Sequence, residues 1–201
     1  MKLDLDSFDA SKAALVIIDM ERHVIEQNQD MKELAANINH FAHHTRNQDI
    51  PVHWFVMADK NKPIDINRDF FEARLNYVEP DYDRDHLEHK LSYSIFSYTD
   101  LKERLQARGI TQILLCGVLI DDCVYHSAFN ASKDFETAIL WDLTDGPYRY
   151  SERLNRKMTG DSGLDKYAAF LRSDDVLAEL SGCMYRNMPI ISAQNLPDFT
   201  K

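Results

Sequence analysis

The stretch Leu115-Cys116-Gly117-Val118-Leu119-Ile120-Asp121-Asp122-Cys123-Val124 decides the fold of this chain. Its first part has the apolar character of a buried strand, the glycine breaks that strand, and the following residues begin a helix predicted to run to about Ser132. A thiol at such a turn lies beside a helix N-terminus, where unpaired N–H groups and the helix dipole favour negative charge. Cys123 is therefore the first candidate nucleophile.

Apolar runs of strand length recur along the chain, each bounded by polar segments: residues 13–18, 51–57, 111–116 and 137–141. Such runs are typical of strands buried on both faces of a parallel sheet. Segments of helical length lie between them, with 30–48 as the first crossover. A further helix is predicted at 99–108, capped by Ser97 or Thr99. Gly109 follows this helix, where a left-handed residue ends many helices.

This alternation of strands and helices predicts an α/β doubly wound fold, mainly a parallel sheet with helices on both faces, because parallel strands need crossover connections. A chain of 201 residues with 44% hydrophobic content supports one sizeable core, so we predict a single domain over 1–201. Residues 58–96 show little periodicity and are predicted to form a lid or substrate loop. A capped short helix is expected at 173–180, and 184–201 resembles an extended C-terminal tail.

Two chemically active side chains follow predicted strands of this sheet. Asp19 closes the first apolar run, and Cys123 follows the third. Ligands of doubly wound sheets bind at the carboxyl ends of the strands, so both residues are expected at one site. Lys90 lies at the end of the long 58–96 segment and is the third candidate.

The three side chains suit nucleophilic catalysis. A thiol is mostly protonated at neutral pH, so Cys123 needs stabilisation of its anion, which the helix N-terminus and the charge of Lys90 could provide. Asp19 could accept the thiol proton and deliver it to a leaving amine. The turn after Gly117 could place backbone N–H groups around a reacting carbonyl as an oxyanion hole.

Composition narrows the classes of partner. A formal net charge of −10 disfavours nucleic acid, and no apolar run approaches the roughly 20 residues that a membrane span needs. The acidic residues 1–6 do not resemble a signal peptide, so a cytoplasmic protein that acts on a small molecule is predicted. Cys116, Cys123 and Cys183 are odd in number and lack metal-type spacing, which fits reduced thiols.

Three segments resemble the isochorismatase-like cysteine hydrolases, a superfamily that includes nicotinamidases, N-carbamoylsarcosine amidases and related ureido-acid amidases. These segments are residues 14–20, residues 90–96 with Thr99-Asp100-Leu101, and residues 116–124. They occur in the family's order, and the similarity covers roughly residues 12–145.

The resemblance implies a six-stranded parallel sheet, a homo-oligomer such as a dimer or tetramer, and a catalytic triad of Asp19, Lys90 and Cys123. It also implies a cis peptide between Val118 and Leu119, which would aim the N–H groups of Leu119 and Cys123 into the oxyanion hole. The mechanism requires no cofactor.

The chain departs from the family's pattern at several positions. Glu21 stands where many members have Gln, and Val24 where many have Phe, so the pocket wall beside Asp19 is expected to differ. The Asp-x-His metal motif of nicotinamidases is missing from residues 57–63, which predicts no metal and disfavours nicotinamide as substrate. True isochorismatases lack the nucleophilic cysteine, so Cys123 favours hydrolysis of a C–N bond in a small amide or ureido compound through a thioester.

Other residues have weaker claims. Four are possible pocket residues, although the aromatic ones are core residues by default: Val24, Trp54, Phe70 and Tyr77. His86 and His89 could contact a metal or substrate, but surface positions are the simpler interpretation. Three further histidines, at helical spacing, fit a solvated helix face: His40, His43 and His44.

Two rival functions remain open. In the first, the enzyme cleaves a vinyl ether as isochorismatases do, with Asp19 as the proton donor and Cys123 as a bystander. In the second, the altered pocket beside Glu21 and Val24 serves a non-catalytic binding or assembly role.

Overall fold

The structure, a computed structural model, describes residues 1–27, 29–58, 67–145 and 163–181. Its strands are β1 (Ala13–Ile18), β2 (Val52–Met57), β3 (His86–Lys90), β4 (Gln112–Val118), β5 (Glu136–Asp145) and β6 (Ala169–Leu171). Its α-helices are α1 (Arg22–Ile25), α2 (Gln29–Arg46), α3 (Arg68–Arg74), α4 (Leu101–Ala107), α5 (Tyr125–Ala131) and α6 (Ser173–Leu180). A π-helical turn, Ile120–Val124, lies between β4 and α5.

The six strands form one sheet in the order β3-β2-β1-β4-β5-β6, and every pair of neighbours is parallel. Alternate residues of β1 face opposite sides of the sheet. Leu15 and Ile17 pack in one core cluster, with α2, α3 and α6, whereas Val16 and Ile18 pack in the other, with α4 and α5. This arrangement confirms the predicted α/β fold with helices on both faces.

Burial explains why the central strands were predictable. Every residue of β1 and β4 is buried, so each had to be apolar or hydrogen-bonded within the sheet. Helix α2 likewise shows a buried stripe at spacings of three and four residues, comprising Met31, Leu34, Ala35, Ile38, Phe41 and Ala42. Burying one Leu or Ile side chain contributes roughly 1.5–3 kcal/mol, so these elements contribute substantially to the free energy of folding.

The long 58–96 segment is not an irregular loop in its described part. It contains α3 and the edge strand β3, and Lys90 is the last residue of that strand. Four of the five β3 residues are only half buried, which is why the strand carries no apolar run. Residues 59–66 lie outside the described residues, and a lid role for the segment stays a prediction.

Several boundaries also differ from expectation. Gly117 does not end β4, which continues to Val118. The α4 helix has Asp100 at its N-cap, not Ser97 or Thr99, although Gly109 does adopt a left-handed φ of 75°. The predicted tail at 184–201 lies outside the described residues.

The α6 helix begins with an unexpected cap. Arg172 is the N-cap residue and makes no side-chain cap bond, whereas the Asp142 carboxylate accepts hydrogen bonds from the Ser173 N–H at 2.9 Å and from its hydroxyl at 2.6 Å. Asp142, a residue of β5 that is distant in sequence, therefore caps α6. Among the described helices, none combines the length and apolar character that crossing a membrane requires.

Candidate active site

Three side chains meet at the carboxyl edge of the sheet. Asp19 follows β1, Lys90 ends β3, and Cys123 lies in the turn after β4. The Lys90 Nζ is 2.8 Å from the Asp19 Oδ2 and 3.2 Å from the Cys123 Sγ. The structure thus brings together the three residues that the sequence predicted, with the Lys90 ammonium group in contact with both the Asp19 carboxylate and the Cys123 thiol.

Backbone geometry at Asp19 and Gly117 allows the three side chains to lie together. Asp19 has a φ of 53°, a left-handed conformation that Asp tolerates better than most residues, and its N–H donates to the Phe55 carbonyl at 2.9 Å. Gly117 has a φ of 100°, and a Cβ there would lie only 2.2 Å from the Ile18 carbonyl oxygen. Only glycine therefore lets the end of β4 approach β1 closely enough to bring the Cys123 turn beside Asp19.

The turn that carries the thiol is wider than an ordinary helical turn. The Val118–Leu119 peptide is cis, and the Leu119 carbonyl accepts hydrogen bonds from the N–H groups of Asp122 and Val124, both at 3.1 Å. Helix α5 begins only at Tyr125. Cys123 thus lies two residues before α5, at the N-terminal end of that helix, as the sequence predicted.

Burial dominates the electrostatics of the site. Desolvation raises the pKa of Asp19, and the positive charge of Lys90 only partly opposes this. The pKa of the Cys123 thiol is raised to about 12 by burial and by the charge of Asp19, again against the effect of Lys90. Burial and the charge of Asp19 therefore disfavour the thiolate in the free protein, whereas the sequence predicted that the helix N-terminus and Lys90 would stabilise it.

One carboxylate oxygen of Asp19 is available as a proton acceptor. Its Oδ2 is paired with Lys90, whereas its buried Oδ1 has no hydrogen-bond partner within the described part of the chain. Leaving a buried carboxylate oxygen unpaired costs free energy, which favours a proton or a ligand group at that position.

Lys90 is held by contacts that the sequence did not reveal. Its side chain is fully buried, and its Nζ lies 3.3 Å from the Ser92 carbonyl oxygen and 4.0 Å from the Met57 Sδ. The carbonyl is a directional acceptor and the thioether a soft one. The ammonium group is therefore fixed in place without a second carboxylate to neutralise it.

The chain that follows Lys90 is anchored to α5. Ser94 accepts a hydrogen bond from the Asn130 amide at 2.9 Å, and the Ile95 N–H donates to the Ser127 hydroxyl at 3.2 Å. Ser94 lies within the 90–96 motif, but the sequence did not indicate a role for Ser127 or Asn130, because a helical Ser or Asn is usually solvated.

The predicted pocket residues separate into two groups. Trp54 is a core residue, and its indole N–H donates to the Asp85 Oδ2 at 2.7 Å. Val24, Phe70 and Tyr77 are partly buried and pack against the same core cluster, beside α1 and α3. Their role as a pocket wall stays a prediction.

Several histidines contact other side chains in the described part of the chain. The His86 ring stacks on His53 with centroids 4.5 Å apart, and its Nε2 lies 2.7 Å from an Arg108 nitrogen. The His44 ring contacts the rings of both His40 and His43 along α2. Within the ranges that the structure describes, no group of three or more His, Cys, Asp or Glu side chains could hold a metal ion.

The other two cysteines differ from Cys123. Cys116 is completely buried in β4, and burial raises the pKa of its thiol strongly. Cys183 lies outside the described residues. Cys123 is thus the described thiol that combines partial access with a cation and a carboxylate.

The six-stranded parallel sheet with a Cys, Lys and Asp cluster at its carboxyl edge defines an isochorismatase-like α/β fold. The model of the isochorismatase domain matches residues 13–158, well over half of the chain, and the protein therefore belongs to the isochorismatase family. This result confirms the family that the three sequence motifs indicated. By class the protein is a hydrolase.

Solved structures show the same fold. The chain is similar to a cysteine hydrolase from Pseudomonas syringae pv. phaseolicola, with 16% identity, a TM-score of 0.69, and coverage of 88% of this chain and 95% of the other. It is also similar to N-carbamoylsarcosine amidase from Thermoplasma acidophilum, with 23% identity, a TM-score of 0.64, and coverage of 81% and 97%.

A pyrazinamidase of Pyrococcus horikoshii, solved in complex with zinc, is 18% identical with a TM-score of 0.63, and the alignment covers 80% of this chain and 99% of the other. The comparison with curated protein sequences found no match.

Proposed function

We propose that this protein is a cysteine-dependent hydrolase of a C–N bond in a small amide or ureido compound. The observation that carries the proposal is the position of the Lys90 Nζ, 2.8 Å from the Asp19 Oδ2 and 3.2 Å from the Cys123 Sγ. A cation that contacts both the proton donor and the proton acceptor stabilises either one when it carries the negative charge.

The first half of the reaction forms a thioester. The Cys123 proton passes to Asp19 as the sulfur attacks the substrate carbonyl carbon, and Lys90 stabilises the developing thiolate. The N–H groups of Leu119 and Cys123 are proposed to donate to the carbonyl oxygen as it becomes negative. The C–N bond then breaks, and Asp19 returns its proton to the departing nitrogen.

The second half releases the acid. Water loses a proton to Asp19 as its oxygen attacks the thioester carbon, and the C–S bond breaks. The proton on Asp19 then returns to the sulfur, which restores the starting state. The raised pKa of the thiol fits this order of steps, in which the proton leaves the sulfur as the sulfur attacks the carbonyl carbon.

The decisive experiment measures ammonia or amine release from a panel of small amides and ureido acids by the wild type and by Cys123→Ala. We expect the variant to lose turnover by about a thousandfold or more, and mass spectrometry of acid-quenched wild type to show an acyl group on the Cys123 peptide. Cys116→Ser is the matched thiol control and should keep turnover per folded molecule.

Two other outcomes would replace the proposal. Turnover of an isochorismate-type vinyl ether that survives Cys123→Ala but not Asp19→Asn would identify the acid-catalysed enzyme, for which the raised pKa of Asp19 is also suitable. Specific binding of panel compounds without turnover by the wild type would identify a binding protein.

We also propose that the protein acts as a homo-oligomer, a dimer or tetramer. The support is a group of exposed apolar side chains in the segment after Lys90, where Leu91, Tyr93 and Tyr98 are 37%, 56% and 86% exposed. Light scattering coupled to gel filtration tests this proposal, and Tyr93→Ser with Tyr98→Ser should shift the mass toward the monomer. A wild-type mass equal to that of the monomer would refute the proposal.

A further inference from the structure

Glu21 is a buried charge beside the candidate active site. It is 1% exposed, its Oε1 accepts a hydrogen bond from the Met57 N–H at 2.8 Å, and its Oε2 is 2.5 Å from an Arg74 nitrogen. The same Arg74 nitrogen donates to the Met57 carbonyl at 3.1 Å. Glu21 therefore joins the ends of β1 and β2 to α3.

The two carboxylates at this strand end lie in different electrostatic surroundings. Asp19 contacts Lys90 and interacts with the Cys123 thiol, and it lies two residues before Glu21 in the chain. Glu21 is faced by Arg74, whose side chain is 33% exposed, and more weakly by the exposed His23, whose Nδ1 is 3.8 Å away. Each carboxylate thus has its own cation, and the cation of Glu21 is partly screened by solvent.

We propose that Glu21 is a positioning residue that makes Asp19 a stronger proton acceptor for Cys123, and that Arg74 limits this effect. The inference rests on the proposed function, in which Asp19 takes the thiol proton. It follows from the geometry, because a buried carboxylate two residues from Asp19 opposes a second negative charge there.

The effect is selective between the two proton sites. Burial is the main cause of the raised pKa of Asp19 and the charge of Glu21 adds to it, whereas the causes that act on the pKa of Cys123 are burial, Asp19 and Lys90. Glu21 therefore favours the state with the proton on Asp19 and the negative charge on Cys123. Arg74 neutralises part of the Glu21 charge and sets the size of this bias.

Glu21→Gln and Arg74→Gln have opposite expected effects. Glu21→Gln keeps an acceptor for the Met57 N–H, removes the negative charge, and leaves Arg74 to stabilise ionised Asp19. It should slow alkylation of Cys123 by iodoacetamide at pH 7 by roughly three- to tenfold. Arg74→Gln leaves Glu21 unopposed and should accelerate alkylation by a similar factor, while the double variant should lie between the wild type and Glu21→Gln.

Peptide mass mapping gives the alkylation rate of each cysteine, and the 240 nm absorbance difference between each variant and its Cys123→Ala counterpart, followed as the pH is raised, gives the pH at which the thiol ionises without requiring access for the reagent. Glu33→Gln, an exposed charge on α2, is the matched control and should change neither quantity. Thermal unfolding of every variant identifies any that fail to fold.

A purely structural role predicts a different pattern, in which both single variants change reactivity in the same direction. That result, or an unchanged or faster Glu21→Gln, would overturn the inference. If Arg74→Gln does not fold, Glu21→Gln and the double variant decide the question. Because neither readout needs a substrate, failure of this inference is distinguishable from failure of the proposed hydrolase activity.

Discussion

Two buried ion pairs in this protein have opposite characters. Arg46 and Asp85 form a bidentate pair with distances of 2.8 and 2.6 Å, and Asp85 also accepts from the Trp54 indole at 2.7 Å and from the Asp81 N–H at 3.0 Å. Lys90 and Asp19 share one contact of 2.8 Å, and the Asp19 Oδ1 has no partner within the described residues.

The difference separates a structural pair from a reactive one. Both oxygens of Asp85 accept hydrogen bonds, so this carboxylate holds α2 to the segment before β3. Asp19 keeps a free oxygen, and its cation is shared with a thiol 3.2 Å away. An incompletely satisfied carboxylate beside a shared cation is free to exchange protons, which is what catalysis by Asp19 requires.

The largest effect that would sharpen this comparison is loss of activity in Asp19→Asn. The amide cannot accept the thiol proton, so turnover of an accepted substrate should fall by about a thousandfold, within the range typical of general acid–base groups. Thermal unfolding should show a smaller loss of stability than removal of the Asp85 charge, because the variant leaves Lys90 buried without a carboxylate but also removes a buried charge whose pKa burial raises. Asp100→Asn, an exposed carboxylate, is the control, and a large loss of stability in Asp19→Asn would contradict the comparison.

Asp85→Asn should show the reverse behaviour. It leaves Arg46 buried without a charged partner, and breaking a buried pair in this way costs about 3–5 kcal/mol in the free energy of unfolding. Urea denaturation measures this cost, and turnover per folded molecule should remain near the wild-type value. An unfolding free energy equal to that of the wild type would show that the Arg46–Asp85 pair does not stabilise the fold.

Gly117→Ala tests the backbone approach that assembles the reactive pair. The new Cβ would meet the Ile18 carbonyl oxygen at 2.2 Å in a region of positive φ, so β4 must move away from β1. We expect a loss of roughly 1–3 kcal/mol in unfolding free energy and a disproportionate loss of kcat. Gly109→Ala, which has a φ of 75° and no neighbouring atom within 4 Å, is the control for positive φ alone. Equal effects of the two variants on kcat would contradict a catalytic need for the close approach of β4 to β1.

The smallest expected effect is a difference in pH dependence between Asp19 and Glu88. The pKa of Asp19 is raised above its ordinary 3.8, so its contribution favours the folded state at low pH and is lost as pH rises above that value. The pKa of Glu88 is lowered by His53 and Arg104 against the effect of burial, so its contribution is present above pH 4.5 and is lost as pH falls. Unfolding midpoints of Asp19→Asn and Glu88→Gln, each measured against wild type from pH 3 to 7, should therefore diverge in opposite directions. Parallel curves would contradict the two shifts.

Much of the fold was predictable because the central strands are buried on both faces. The runs at 13–18 and 51–57 agree with β1 and β2, and the helix predicted at 30–48 corresponds to α2 (Gln29–Arg46). The edge strand β3 and the short β6 escaped prediction, since a half-buried or three-residue strand leaves no distinctive pattern.

The sequence by itself determined the identities of Asp19, Lys90 and Cys123, because two follow buried strands and all three lie in recognisable family motifs. Tertiary structure decided their electrostatic states. Burial is a property of the whole packed molecule, and it raised the pKa of Cys123 to about 12 where local helix and lysine effects suggested a thiolate. The sequence showed Glu21 only as a departure from the family motif. Its pairing with Arg74 depends on the tertiary structure, because the two residues are 53 positions apart in the chain.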